Sequence, residues 1–260
     1  MPHLIDTPIT GLAGWRHRHE IETGSTNTDC LNAARAGDAG DLWITAGRQR
    51  SGRGRLGRQW VSEPGNLYAS VLLLDPAPLA CLGTLPFVAA LAVHASLTAL
   101  PGLALERVKI KWPNDILIDG AKISGLLIES ENSANDTTAI ACGFGINICH
   151  HPDAPLYPTT DLKALGLMIR PETLFPILAS NFAAMLSIWN AGKGFAKIRK
   201  EWLRHAKGLG EPMTINLTSE RLEGRFIDID AQGCLVFLGS MGEERTISAG
   251  DVFFPVKKGI

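Results

Sequence analysis

The sequence predicts an α+β protein that ends in a small β-barrel, on three observations. Strand-like and helical runs are interleaved up to residue 208. Residues 84–99, "TLPFVAALAVHASLTA", are apolar nearly all round, the mark of a buried helix. After Gly208 the texture changes to short strands, as in a small barrel. The expected domains are 1–208 and 209–260.

The elements follow in order along the chain. "GSTNTDCLNAARAG" has a cap at Ser25 or Thr26, helical apolar spacing and a stop at Gly37, so a short helix is expected. "DLWITAG" and "NLYASVLLLD" read as strands on either side of an arginine-rich loop. "VKIKWPNDILIDGAKISGLLIES" reads as three β-rich runs, broken at Trp112 to Asn114 and again at Asp119-Gly120, a favoured hairpin turn. "TTAIACGFGINICH" is a further strand. Residues 171–207 carry two helical segments parted near Gly192 and Gly194, and "MTINL", "LEGRFIDID", "CLVFL" and "RTISAGDVFF" are the strands of the barrel.

Composition narrows the function. At 260 residues with 45% hydrophobic content the chain can fill a sizeable core. A net charge of -1 and a pI near 6.7 argue against a general nucleic-acid or membrane-surface binder. Five cysteines without a C-x-x-C pair make neither a disulfide nor a zinc framework. No signal pattern and no run of ~18 uninterrupted apolar residues is present, so a cytoplasmic protein without a membrane span is expected.

The loop "GRQRSGRGRLGRQW" at 47–60 holds five arginines and no acid. Gly52, Gly54 and Gly57 spell G-x-G-x-x-G, but Pro64 and Gly65 follow where a dinucleotide-binding turn needs a helix, and the lysine-hydroxyl ending of a P-loop is missing. Clustered like charges repel and glycines add ordering entropy, so such a loop makes best sense when an anion orders it. Guanidinium groups hold phosphates bidentately while glycines admit a ligand close to the backbone. The reading is a loop that folds over a phosphate-bearing ligand.

Two further stretches carry chemistry. If Asp119-Gly120 forms the turn, Leu117 faces Lys122 and Asp115 faces Ser124, which places Asp115 and Lys122 diagonally on one face. In "AIACGFGINIC", Ile140, Cys142, Phe144, Ile146 and Ile148 share a core face. Gly143, Gly145 and Asn147 share the other, leaving room for a flat ligand or for a close helix. His150 and His151 read as strand-end surface residues rather than metal ligands.

Taken together, "STN" at 25–27, "GRGRLGRQW" at 52–60, "KWPND" at 111–115, "KISGLLIES" at 122–130 and "GFGIN" at 143–147 resemble, in order and spacing, the catalytic domain of biotin protein ligases. The resemblance implies a mixed-sheet catalytic fold akin to class II aminoacyl-tRNA synthetases, with an SH3-like C-terminal barrel. It implies activation of biotin by Mg-ATP as biotinyl-5'-adenylate, then transfer to a lysine of a biotin carboxyl carrier domain of acetyl-CoA carboxylase or a related carboxylase.

Carried over by position, Ser25, Thr26, Asn27 and Gln49 would contact the biotin head group, and Arg53, Gly54 and Arg55 would lie in the closing loop. Lys122 would bind the carboxylate and then the acyl-phosphate, with Gly125 giving room beside it. Trp60 would flank the adenine, and Arg55, Arg58, Lys111, Asn114 and Asn147 the nucleotide. Arg53, Arg55, Lys122 and Asp115 are the expected catalytic set, Asp115 orienting Lys122 or the incoming amine; the ligands of Mg2+ are unknown. With the first motif already at Ser25, the resemblance implies a monofunctional ligase without sequence-specific DNA binding; homodimers through sheet edges are compatible with it. The competing readings are a lipoate protein ligase and a catalytically silent sensor of biotin or its adenylate.

Overall fold

The structure is a computed structural model and describes residues 6–9, 11–132, 137–152, 157–217 and 220–254. The N-terminal part is built from β1 (Thr7–Ile9), β2 (Leu12–Glu20), α1 (Thr26–Arg35), β3 (Leu42–Ala46), β4 (Leu67–Leu74), a short α2 (Leu79–Leu82), α3 (Leu85–Thr98), β5 (Val108–Lys111), β6 (Asp115–Ile118), β7 (Ala121–Asn132), β8 (Thr138–Ile146), α4 (Pro171–Trp189) and α5 (Phe195–His205). Its eight strands form one sheet in the order β1-β2-β3-β4-β8-β7-β6-β5. β2 and β3 run parallel and every other pair is antiparallel, so the sheet is mixed.

Strands β1 and β2 were not expected. β2, "LAGWRHRHE", is polar and only half-buried, so it lacks the apolar signal of a core strand, yet it supplies the parallel partner of β3 through α1.

Helices cover the two faces unequally. α3, α4 and α5 pack on one face over a large core that takes in Trp43, Phe144, Phe182 and Trp189. As expected, Ile140, Cys142, Phe144, Ile146 and Ile148 all point into it. Leu79–Thr98 is long and apolar enough by composition to cross a membrane, but most of it lies inside the fold; the hydrophobic run serves this core. On the other face α1 covers only a patch of Cys30, Leu31, Ala33 and Ala34 against Leu42, Ile44, Leu72, Ala139 and Ala141. Beyond the N-terminus of α1 that face continues through Ser70, Gly143 and Gly145. There the residues become small, and the sheet is left with a hollow.

The C-terminal part is the antiparallel sheet β12-β11-β10-β9-β13, from β9 (Pro212–Asn216), β10 (Arg221–Ile229), β11 (Leu235–Gly239), β12 (Glu244–Ile247) and β13 (Asp251–Phe253). Trp202 of α5 meets Phe226 of β10 at 6.4 Å between ring centroids. The indole of Trp112 donates to Gly233 O at 3.4 Å. These contacts set β13 at the rim of the hollow.

Candidate active site

The hollow is a pocket of about 360 Å³, and every site residue expected from the sequence lines it. Its floor is a hydrogen-bonded set at the start of α1. Ser25 makes no side-chain capping bond to its helix. Instead the backbone N–H of Thr26 donates to Gln49 Oε1 at 2.9 Å, so a side chain from the arginine loop satisfies a first-turn amide. Thr26 Oγ1 lies 2.7 Å from Ser70 Oγ and 3.1 Å from Gln49 Oε1. Ser70 donates to Asn27 Oδ1 at 2.6 Å, and Asn27 Nδ2 donates to Leu127 O at 3.1 Å and Glu129 Oε2 at 2.7 Å. Ser25, Thr26, Asn27 and Ser70 are all buried. Such a fixed array of donors and acceptors is chemically suited to a compact polar group.

The room expected over Gly143 and Gly145 is occupied by the protein itself. A Cβ at Gly143 would lie 2.3 Å from Asn27 Oδ1, and one at Gly145 would lie 2.5 Å from Trp60 Cε2 and Nε1. The glycines admit an amide and an indole. Trp60 spans both strands, because Gly145 pairs directly with Gly125, where a Cβ would lie 2.9 Å from Trp60 Cζ3.

The turn at Asp119-Gly120 has both residues at positive φ, 50° and 83°, as a two-residue hairpin requires. The expected pairing of Asp115 with Ser124 is not formed: Asp115 pairs with Gly125, Ile116 with Ser124 and Leu117 with Lys122. Ile123 is left without a β6 partner, which is a β-bulge. Its side chain enters the core, while Lys122 and Gly125 come to the same surface, a Cβ at Gly125 lying 3.3 Å from Lys122 Nζ. The backbone N–H of Lys122 donates to Pro158 O at 2.8 Å, and Thr160 N–H donates to Lys122 O at 2.9 Å, so this lysine stands on a fixed strand.

Lys122 Nζ lies 2.6 Å from Asp115 Oδ1, with both side chains largely buried. The ammonium also faces the rings of Trp60 at 5.4 Å and Tyr157 at 5.3 Å. Lys111 reaches the same region, 5.2 Å from the Tyr157 ring and 5.5 Å from that of Phe253; burial lowers its pKa from the ordinary lysine value, with Asp115 opposing the shift. Asn114 donates to Leu126 O at 2.6 Å and accepts from Arg55 Nη1 at 3.2 Å. Asn147 donates to Thr160 O at 3.1 Å.

The arginine loop divides its charges. Arg48 and Arg50 pair with Glu22, Arg48 also with Glu63, Arg53 with Glu129 and Arg58 with Asp251. Arg55, half-buried, forms no ion pair among the described residues, and its polar contact is Asn114. Burial lowers its pKa, with Asp251 and Asp115 pulling the other way, and an arginine so shifted stays cationic. Among the described residues, Lys111 and Arg55 therefore bring positive charge to the pocket without an ion pair to a carboxylate.

Sequence reasoning missed Ser70, Tyr157, Asp251, Phe253 and Glu129. Ser70 carried a signal: it breaks the apolar run of β4 beside the glycines of β8. The others arrive through tertiary contacts. His151 pairs with Asp161 at 2.6 Å, and the described residues contain no group of three or more His, Cys, Asp or Glu able to hold a metal.

Comparison with known proteins agrees with the geometry. The Biotin/lipoate A/B protein ligase family model matches residues 23–147, and the Biotin protein ligase C terminal domain model matches residues 208–254. The chain is 37% identical over 241 residues to the biotin acetyl-CoA-carboxylase ligase of Paracoccus denitrificans, covering 89% of this chain and 98% of that one. It is 30% identical over 257 residues to the like-named ligase of Mycobacterium tuberculosis, covering 96% and 93%. A biotin protein ligase of Aquifex aeolicus, solved with biotin and ATP, superposes with a TM-score of 0.78 at 25% identity, covering 92% of this chain and 99% of that one. Motifs, fold and near full-length relatives agree, and the chain belongs to the biotin protein ligase family.

Proposed function

We propose that the chain activates biotin with ATP and transfers the biotinyl group to a lysine of a biotin carboxyl carrier domain. One observation carries this reading: a single pocket joins a neutral hydrogen-bonding floor at Thr26, Asn27, Gln49 and Ser70 to a cationic wall at Arg55, Lys111 and Lys122. The floor suits the polar head group, and the wall suits a carboxylate meeting a triphosphate.

In the first step a biotin carboxylate oxygen attacks the α-phosphorus of ATP and the bond to pyrophosphate breaks. Two anions must approach and a third must leave, so positive charge fixed in advance lowers the barrier. Lys122, held by Asp115, faces the carboxylate and the developing acyl-phosphate; Arg55 and Lys111 face the phosphates. Mg2+ enters as part of the nucleotide substrate, held through phosphate oxygens as this ion commonly is. In the second step the acceptor amine attacks the acyl carbon and AMP leaves; neither step needs an enzyme nucleophile. Trp60, Tyr157 and Phe253 shelter the mixed anhydride from water.

The same proposal assigns the chemistry to residues 1–208, with 209–260 lending Asp251 and Phe253 to the rim. It places the protein in the cytoplasm, in accord with five free thiols. The test is transfer of labelled biotin, with Mg-ATP, to a purified carrier domain, with lipoate as competitor. Label that requires ATP and the acceptor lysine and resists lipoate is expected; binding without adenylate or transfer would move the reading to a silent sensor.

A further inference from the structure

One hydrogen-bonded chain runs under the pocket and meets the arginine loop at both ends. At one end Ser62 Oγ donates to Trp60 O at 2.9 Å and accepts from Gln49 Nε2 at 3.0 Å. The chain then passes along the floor, through Thr26 and Ser70, to Asn27. At the far end Asn27 Nδ2 donates to Glu129 Oε2, and the Glu129 carboxylate receives Arg53 Nη2 with both oxygens at 3.1 Å. Thr28 Oγ1 accepts from the same Nη2 at 3.1 Å. Glu129 thus joins the buried floor to Arg53, the third arginine of the loop. It does not line the pocket, and no step of the reaction needs it.

We propose that Glu129 is a positioning residue: it sets Arg53, and with it the leading limb of the loop, in the geometry that closes over biotin. The carboxylate is suited to this because it has acceptor capacity for two donors at once, the Asn27 amide and the Arg53 guanidinium. A glutamine of the same length has one acceptor oxygen, and its amide nitrogen faces a donor on one side or the other. With its oxygen in the Oε2 place it keeps Asn27 but sets an amide N–H against Arg53 Nη2, and flipped it sets that N–H against both, so the hold on the loop weakens either way. Since the pair is half-exposed, its worth to folding is small; its effect is to preorganise the site, which shows as affinity.

The inference rests on the ligase reading and is tested apart from it by biotin-dependent ATP–pyrophosphate exchange on the full chain. Glu129→Gln is expected to raise the KM for biotin roughly tenfold while kcat changes less than about threefold; Glu129→Asp, which keeps both acceptors, should stay nearer the parent. In an Arg53→Gln background Glu129→Gln should add less than about threefold, because only its bond to Asn27 is left to lose. An unchanged KM in Glu129→Gln, or the same tenfold rise in both backgrounds, would overturn the proposal. If Glu129→Gln does not fold, Glu129→Ala, which removes both acceptors, decides by the same non-additivity in the two backgrounds. Absence of exchange in the parent chain would instead overturn the ligase reading.

Discussion

Gly143→Ala should unfold the floor of the pocket from within, whereas Gly145→Ala, one pleat along and nearly as tight, should not. The added methyl at Gly143 would stand 2.3 Å from Asn27 Oδ1, against an ordinary contact of 3.4 Å or more, so the amide must retreat by about 1 Å. It has nowhere to go without loss: it accepts from Ser70 at 2.6 Å and donates to Glu129 at 2.7 Å and Leu127 O at 3.1 Å. A retreat of that size takes at least two of these bonds beyond hydrogen-bonding distance. At about 1 kcal/mol net for each, and more where a buried group is left unpaired, the expected cost is roughly 2–4 kcal/mol. At Gly145 the methyl would stand 2.5 Å from the Trp60 ring. That indole N–H has no hydrogen-bond partner among the described residues, so the ring can shift without breaking a bond; the expected cost is below about 1 kcal/mol. Urea unfolding of the two variants beside the parent measures both, and a biotin titration should show the Gly143 variant weakened by at least about tenfold. Equal losses in the two variants, or a Gly143 variant within about 0.5 kcal/mol of the parent, would refute the view that bonding of the neighbour, rather than overlap itself, sets the cost.

Lys122→Ala should abolish adenylate formation and also lower stability by about 3 kcal/mol, because it strands the largely buried Asp115; adding Asp115→Asn should return most of the stability and none of the activity, read by urea midpoint and pyrophosphate exchange. Burial, with His205 second, holds His94 at about 4, below the ordinary 6.5. Between those values the unfolded chain binds a proton that the folded chain refuses, so stability should fall as pH drops from about 6.5 toward 4, by at most about 1.4 kcal/mol per unit for this histidine. A series of urea midpoints should show that slope, and His94→Gln should flatten it in part, since burial holds His17 at about 4 as well. Asp251→Asn frees Arg58 from an exposed pair and should change stability by less than about 1 kcal/mol, while the KM for ATP rises several-fold in the exchange assay.

Much of the site could be read before any fold was known, because its residues cluster in runs and their backbone states are local. The turn at Asp119-Gly120, the core face of β8 and the arginine loop each depend on a few adjacent residues. What escaped depends on distance along the chain. Asp251 reaches Arg58 across 193 residues, and Glu129 reaches Arg53 across 76; no period in a sequence encodes such meetings. β2 escaped because a strand at the polar margin of a sheet has no apolar alternation to show. The glycines of β8 were legible as vacancies on the pleat, but whether ligand or protein filled them was decided by Asn27 and Trp60, from elsewhere in the fold.

The bulge at Ile123 has a consequence for how this hairpin can change. On a regular strand, residues three apart point in opposite directions, so Lys122 and Gly125 can share a surface only because one residue has been added between them. What the site requires is therefore a parity, not a length. Two residues added to the turn at Asp119-Gly120 would leave the lysine aimed as it is. One residue added after Lys122 would turn its ammonium toward the interior, with every amino acid of the motif still present. Insertions and deletions between Lys122 and Gly125 should preserve this shared surface in even steps and destroy it in odd ones.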